Sequence, residues 1–297
     1  MHMHFDLMKR KWMLLWALLL IGSKIQVAEG NDFVPPNVSF SSVTKLPFVE
    51  ASHKISYGSD PLQYGLLWQA PSSQEKQPLI VLIHGGCWLN AFGVDHALPM
   101  ASALAQSGFD VWALEYRRTG DEGGGWPGSF EDVQAGIKFV NQLPGHINHK
   151  EVILVGHSAG GHLALLAKQK HDSGTQPEII KAIGLAAITD LSSYAAGQNS
   201  CQTAGPQFMG GTAEEKPDAY QAADPKVHGP YQQTVLLQGQ ADVIVPESQA
   251  KLDGAVAIKL ASSGHFDWIH PKSQAFDMLL KLLIEEKSTE QDITEAK

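Results

Sequence analysis

Two cysteines in 297 residues are too few for a disulfide framework. They leave room for one bridge, Cys87 to Cys201, or for two separate small buried residues. Basic residues are also scarce: 22 Lys and Arg face 31 Asp and Glu, a net charge of −9, and no basic stripe offers itself to nucleic acid. No two of the 13 histidines stand in an H-x-x-x-H pattern, so no metal is expected, and no cofactor is expected either. No Ser/Gly/Pro-rich linker and no internal repeat divides the chain, which has a length that one α/β domain can fill. Long apolar runs are missing too. The run at residues 12–22 falls short of the about 20 apolar residues that a membrane span needs.

That run has its own meaning. Lys9-Arg10-Lys11 precede it and small residues follow, the pattern of a secretory signal peptide over residues 1–30, with a retained membrane anchor as the alternative. Cleavage after Ala28 or Gly30 would start the mature chain near Asn31, with no cysteine at the site for a lipid anchor. The leader holds four basic and two acidic residues, so its removal takes the net charge to −11. Residues 31–297 then form one domain, secreted or periplasmic, with no stable membrane anchor.

Within it, residues 49–57 and 63–69 read as an opening hairpin around Gly58-Ser59-Asp60-Pro61. Continuous apolar runs at 79–83, 109–114, 152–155 and 180–188 read as strands buried on both faces, and 235–237 and 256–260 complete the set. Helical patterns at 98–106, 130–142 and 159–169 separate the runs, and 273–286 reads as a closing helix. Such alternation predicts an α/β fold, a mostly parallel sheet covered by helices, whose site lies at the carboxyl ends of the strands. Residues 191–231 break the alternation with glycines, prolines and polar residues, and only 214–222 is weakly helical. This stretch reads as a lid-like insertion or a long surface loop.

The run at 152–155 enters Gly156-His157-Ser158-Ala159-Gly160, and helix formers leave it. A serine on a sharp strand-to-helix turn needs tiny residues two before and two after it, which marks a nucleophile elbow; the alternative is a turn serine capping the helix. A hydroxyl nucleophile needs a base and an orienting acid from later strand ends. Asp242 follows the run ending at 237 and His265 follows the run ending at 260, with Asp190 and His270 as their rivals. Developing oxyanion charge needs donors, and His84-Gly85-Gly86-Cys87-Trp88 directly follows a strand. Backbone N–H groups of Gly85, Gly86 or Cys87, with that of Ala159, could form the hole; a purely structural glycine turn is the alternative. Trp88, Tyr116 and Trp126 are candidate pocket walls or packing residues. Residues 115–118 suit loop tethering through ion pairs, with Asp132 a partner.

Taken together, the 84–88 turn, the Glu115-Tyr116-Arg117-Arg118 strand end, the elbow with Gly161, Asp242 and Gly264-His265-Phe266 resemble an α/β-hydrolase. More narrowly, residues 49–282 resemble the bacterial carboxylesterase-like branch near hormone-sensitive-lipase-like, feruloyl and acetylxylan esterase and kynurenine formamidase-like hydrolases. The resemblance implies a serine esterase with a Ser158, Asp242, His265 triad, acting on a small-molecule ester or amide substrate. Cys87 stands where lipase-like members carry a third glycine and kynurenine formamidases a tyrosine, so neither sub-family is assigned. Prolyl-oligopeptidase-like peptidases share the elbow but add a β-propeller for which this chain has no room. An amidase or arylformamidase with the same triad, and a non-catalytic binding module on the same scaffold, are the alternatives.

Overall fold

The computed structural model describes residues 33–71, 77–172 and 174–295, with side chains of the last helix described through residue 284. The expected leader at 1–30 lies outside the described residues. After a short helix α1 (Phe40–Thr44), capped by the Ser39 hydroxyl, strands β1 (His53–Ser56) and β2 (Tyr64–Trp68) form the expected antiparallel hairpin. Strand β3 (Leu79–Ile83) is a run of branched residues buried at all five positions. Odd and even side chains go to opposite faces of the sheet, as the period of two requires. Leu79, Val81 and Ile83 join one core cluster, and Ile80 and Leu82 join the other.

From β3 the chain alternates helix and strand: α2 (Leu98–Gln106), β4 (Val111–Leu114), α3 (Gly128–Lys138), β5 (Glu151–His157), α4 (Ala159–Lys170) and β6 (Glu178–Leu185). β7 (Thr234–Gly239), β8 (Val256–Leu260) and α8 (Gln274–Glu295) follow the insertion. The sheet order is β1-β2-β4-β3-β5-β6-β7-β8, antiparallel at β1, β2 and β4 and parallel from β4 through β8. The core cluster on one face takes Val133 and Ile137 from α3 and Leu163 and Leu166 from α4. Met100 and Leu104 from α2 and Phe276 and Leu279 from α8 cover the other face.

Residues 191–231 carry more structure than the sequence pattern predicts: α5 (Leu191–Ala195), α6 (Ser200–Met209) and α7 (Pro217–Ala223). Only α7 overlaps the expected weak helix at 214–222. α6 contains Gly205 and Pro206, which mask its pattern. A capping box between Asn199 and Gln202 starts it, and Gly210 in a left-handed conformation ends it.

The order of strands positions the site. From β3 the chain moves outward to β4 and then returns to β5 on its other side, so the loops after β3 and β5 diverge and leave a crevice between them. Ile83 pairs with Gly156, which brings the two strand ends level.

Candidate active site

Ser158 is the single residue between β5 and α4, with φ 55° and ψ −120°, a backbone that non-glycine residues avoid. The turn tightens enough that a Cβ on Gly160 would sit 2.2 Å from the Ile83 carbonyl oxygen and 2.3 Å from that of His84. Glycine at 160 therefore lets α4 start directly against the end of β3. The Ser158 amide donates to the Leu185 carbonyl at 2.8 Å, tying the elbow to β6 as well.

The loops after β7 and β8 bring Asp242 and His265 together. His265 Nδ1 lies 2.7 Å from Asp242 Oδ2, with both side chains buried. The other carboxylate oxygen accepts the backbone N–H groups of Ile244 at 2.8 Å and Val245 at 2.9 Å, which fixes its rotation. A carboxylate facing Nδ1 holds the proton there and leaves Nε2 as the acceptor of the imidazole. The rivals are occupied elsewhere. Asp190 caps α5 through Ser193 N–H and pairs with Lys226 at 2.6 Å, while His270 Nδ1 accepts the Lys272 N–H at 3.2 Å.

Ser158 and His265 open on one cavity of about 430 Å³, together with Gly86 and Cys87. Among the described residues no acceptor meets the backbone N–H groups of Gly86, Cys87 or Ala159. Neither Gly85 nor Ala159 lines this cavity; the Gly85 carbonyl accepts from His84 Nδ1 at 2.7 Å, and Ala159 directly follows Ser158 as the first residue of α4. The remaining walls are mostly apolar, with Phe40, Phe92 and Phe266 the aromatic ones. Cys87 and Cys201 form a disulfide, the bridged alternative of the two, so the insertion meets the cavity at the turn after β3.

Beneath the turn lies a buried polar layer. His84 Nε2 donates to Glu115 Oε1 at 2.9 Å, and Arg118 approaches the same oxygen at 3.2 Å. Burial alone would raise the Glu115 pKa, but His84, Arg118 and the Val94 N–H together hold it down to about 2. Both ring nitrogens of His84 face oxygens, the Gly85 carbonyl and the Glu115 carboxylate, which fixes the ring between the turn and β4. Two histidines close to the cavity stay neutral. Burial, reinforced by the neighbouring His84, lowers the pKa of His96 to about 3, and burial with His265 beside it lowers that of His157 well below 6.5. His157 Nε2 donates to the His265 carbonyl at 3.0 Å. Among the described residues no group of three or more His, Cys, Asp or Glu side chains could hold a metal ion, and no helix is long and apolar enough to cross a membrane.

The BD-FAE family model matches residues 67–253, more than half of the chain, from β2 through the Asp242 loop. The chain belongs to the BD-FAE family. Among curated relatives of this BD-FAE chain is esterase LipQ of Mycobacterium tuberculosis, 24% identical over 238 residues, which are 71% of this chain and 55% of LipQ. The chain thus spans about half the length of that relative. Of solved structures, esterase B from Lactobacillus Rhamnosis aligns with a TM-score of 0.68 at 17% identity, covering 86% of this chain and 92% of that one. A truncated carbohydrate esterase from gut microbiota aligns with a TM-score of 0.65 at 21% identity, covering 81% and 97%. The eight-stranded, mostly parallel sheet with flanking helices is the α/β-hydrolase fold of these neighbours.

Three expected pocket walls of the BD-FAE chain do not line the cavity. Trp88 points the other way, fully buried against Phe208 with ring centroids 4.9 Å apart. Tyr116 lies under the turn, where its hydroxyl donates to the His84 carbonyl at 2.9 Å, and Trp126 packs on Phe130 at 5.5 Å. Each follows a strand end or glycine loop, but the apolar body is large enough that burial wins over facing the cavity. Arg117 makes the expected tether, gripping Asp132 through Nε at 2.8 Å and a second nitrogen at 2.6 Å. Sequence reasoning missed Phe40, Phe92 and His96, which come from segments without a motif. It also missed Asp267, whose carboxylate accepts from Gly264, Asn37 and Val38 and thereby straps the N-terminal arm to the His265 loop. An aspartate two residues after His265 was the one signal available for it.

Proposed function

We propose that this protein hydrolyses carboxylic esters of small substrates through an acyl-enzyme intermediate. Ser158 attacks the carbonyl carbon, His265 takes its proton through Nε2 and returns it to the leaving alcohol, and Asp242 orients the imidazole and stabilises its charged form. The backbone N–H groups of Gly86, Cys87 and Ala159 receive the developing oxyanion. Water then attacks the acyl-enzyme with His265 again as base. The observation that carries this reading is the 2.7 Å Asp242–His265 contact beside an elbow serine in one cavity. A serine and an imidazole that share one cavity, with a carboxylate on the imidazole, argue against a silent binding module.

Ester is preferred over amide because LipQ and the two aligned structures are named esterases. The test is turnover of aryl esters against N-formyl aryl amides by purified protein. Ser158→Ala should remove about 10⁶-fold of the turnover, and a fluorophosphonate should label Ser158 in the wild type. Wild-type rates in the alanine variant would overturn the assignment, and faster formamide turnover would favour an arylformamidase.

We infer in addition that residues 1–30 are a cleaved leader and that the mature protein works in an oxidising compartment. The Cys87–Cys201 bridge supports this, since such bonds persist where thiols are not kept reduced. Sequencing the mature amino terminus should find a start near Asn31; a start at Met1 contradicts cleavage.

A further inference from the structure

The turn after β3 has a backbone that its side chains disfavour. Gly86, Cys87 and Trp88 have φ of 108°, 55° and 59° in succession. Glycine enters this region freely, but each of the other two does so at a cost that the surroundings must offset. The conformation matters because Gly86 and Cys87 line the cavity and their N–H groups meet no acceptor among the described residues.

Both non-glycine residues are held by the same helix. Cys87 is bonded to Cys201 in the first turn of α6, and Trp88 stacks on Phe208 near its end at an interplanar angle of 15°. Positions 201 and 208 are seven apart, about two helical turns, so they share one face. The helix is itself fixed. Its cap residue Asn199 donates to the Ile244 carbonyl at 2.9 Å, next to the N–H that Asp242 accepts. From the other side, the Trp88 indole donates to His162 Nδ1 at 3.3 Å, and His162 Nε2 donates to the Ala223 carbonyl at the end of α7 at 2.8 Å.

We propose that α6 of the insertion is a positioning device for the oxyanion donors, acting through the Cys87–Cys201 bridge and the Trp88–Phe208 stack. The proposal rests on the serine-hydrolase reading above. It gives the insertion a task beyond covering the cavity: Cys87 and Trp88 keep their left-handed backbone because α6 holds both. Reduction by a dithiol converts the bridge to two thiols and the reagent to its cyclic disulfide, so one of the two anchors is released without any change in sequence.

The experiment measures kcat, KM and the affinity of an aryl trifluoromethyl ketone, which forms a hemiketal oxyanion on the serine, before and after reduction of the folded enzyme. Donors matter most when charge has developed, so kcat should fall about tenfold to hundredfold while KM moves less than about threefold. The ketone should weaken in proportion to kcat/KM, and reoxidation should restore all three. The Cys87→Ser/Cys201→Ser double variant should match the reduced enzyme and ignore the dithiol. Phe208→Leu, with the bridge intact, should lower kcat in the same way, and it decides the matter if near-ultraviolet circular dichroism shows that reduction unfolds the protein. Unchanged kcat on reduction of the folded enzyme, or a loss confined to KM, would overturn the proposal. Fluorophosphonate labelling of Ser158 in the oxidised wild type separates this from failure of the hydrolase reading, which would take the proposal with it.

Discussion

Asp190 and Asp242 are both aspartates just beyond a strand end, yet their surroundings assign them different chemistry. Asp190 spends one oxygen on a helix cap and the other on an exposed lysine. Asp242 has one oxygen held by two backbone N–H groups, and the other faces the imidazole at 2.7 Å with the Gln238 amide at 3.4 Å. Asp242→Asn keeps the shape but offers His265 Nδ1 an amide that favours the wrong tautomer. Its kcat should fall about 10⁴-fold, with Asp190→Asn within about twofold of wild type, as measured on an aryl ester. Equal losses would leave the acid unassigned. Gly160 is the other residue at which one atom decides. Gly160→Ala would place its Cβ against two backbone carbonyls that cannot move independently of β3. About 1–3 kcal/mol of stability should go, read from urea unfolding, and turnover should drop further as Ser158 leaves the turn after β3.

At the scale of elements, the motif-bearing parts were legible and the parts that enclose the cavity were not. β3, α2 and β8 have the boundaries that the apolar runs and helical patterns set, because each is one uninterrupted pattern between turn residues. The turn that carries Ser158 and the places of Asp242 and His265 just past β7 and β8 follow from strand ends that sequence marks well. The arm at residues 33–44 has no such mark: it is polar, holds prolines, and is placed by the Asp267 carboxylate from more than 220 positions away. Its helix α1 supplies Phe40, whose ring lies 5.4 Å from Phe266 and 5.7 Å from Phe92. α1 is thus a wall of the cavity, and under the proposed ester hydrolysis acyl selectivity should follow it. Phe40→Ala should raise KM for short acyl esters by about tenfold through lost apolar contact and shift the preferred chain longer, checked with a series of nitrophenyl esters. An unchanged chain-length profile would remove α1 from the binding surface.

For the whole molecule, the sheet that places the site also buries several titratable groups around it. His96, His157 and His162 are buried, and burial lowers the pKa of His96 to about 3, of His162 to about 4 and of His157 well below the ordinary 6.5. Each is neutral when folded, whereas in the unfolded chain each takes up a proton as pH falls through 6.5. A depressed folded pKa means that the stability is fully present above the unfolded value and is lost on acidification. Below 6.5 each such histidine therefore removes about 1.4 kcal/mol per pH unit, until its own folded pKa is reached. Glu115, held at about 2 against an ordinary 4.5, adds the same sign of loss below pH 4.5. Domains are stable by only about 5–15 kcal/mol, so three such histidines should remove a large share of the stability in mild acid. The urea midpoint should be level above pH 7 and fall steeply between pH 6 and pH 4.5. Replacing His162, whose side chain does not line the cavity and bonds only Trp88 and the Ala223 carbonyl, by Gln should flatten that fall by about one histidine's share. A midpoint independent of pH across this window would mean that these rings are protonated in the folded protein, and the neutral layer around the site would have to be abandoned.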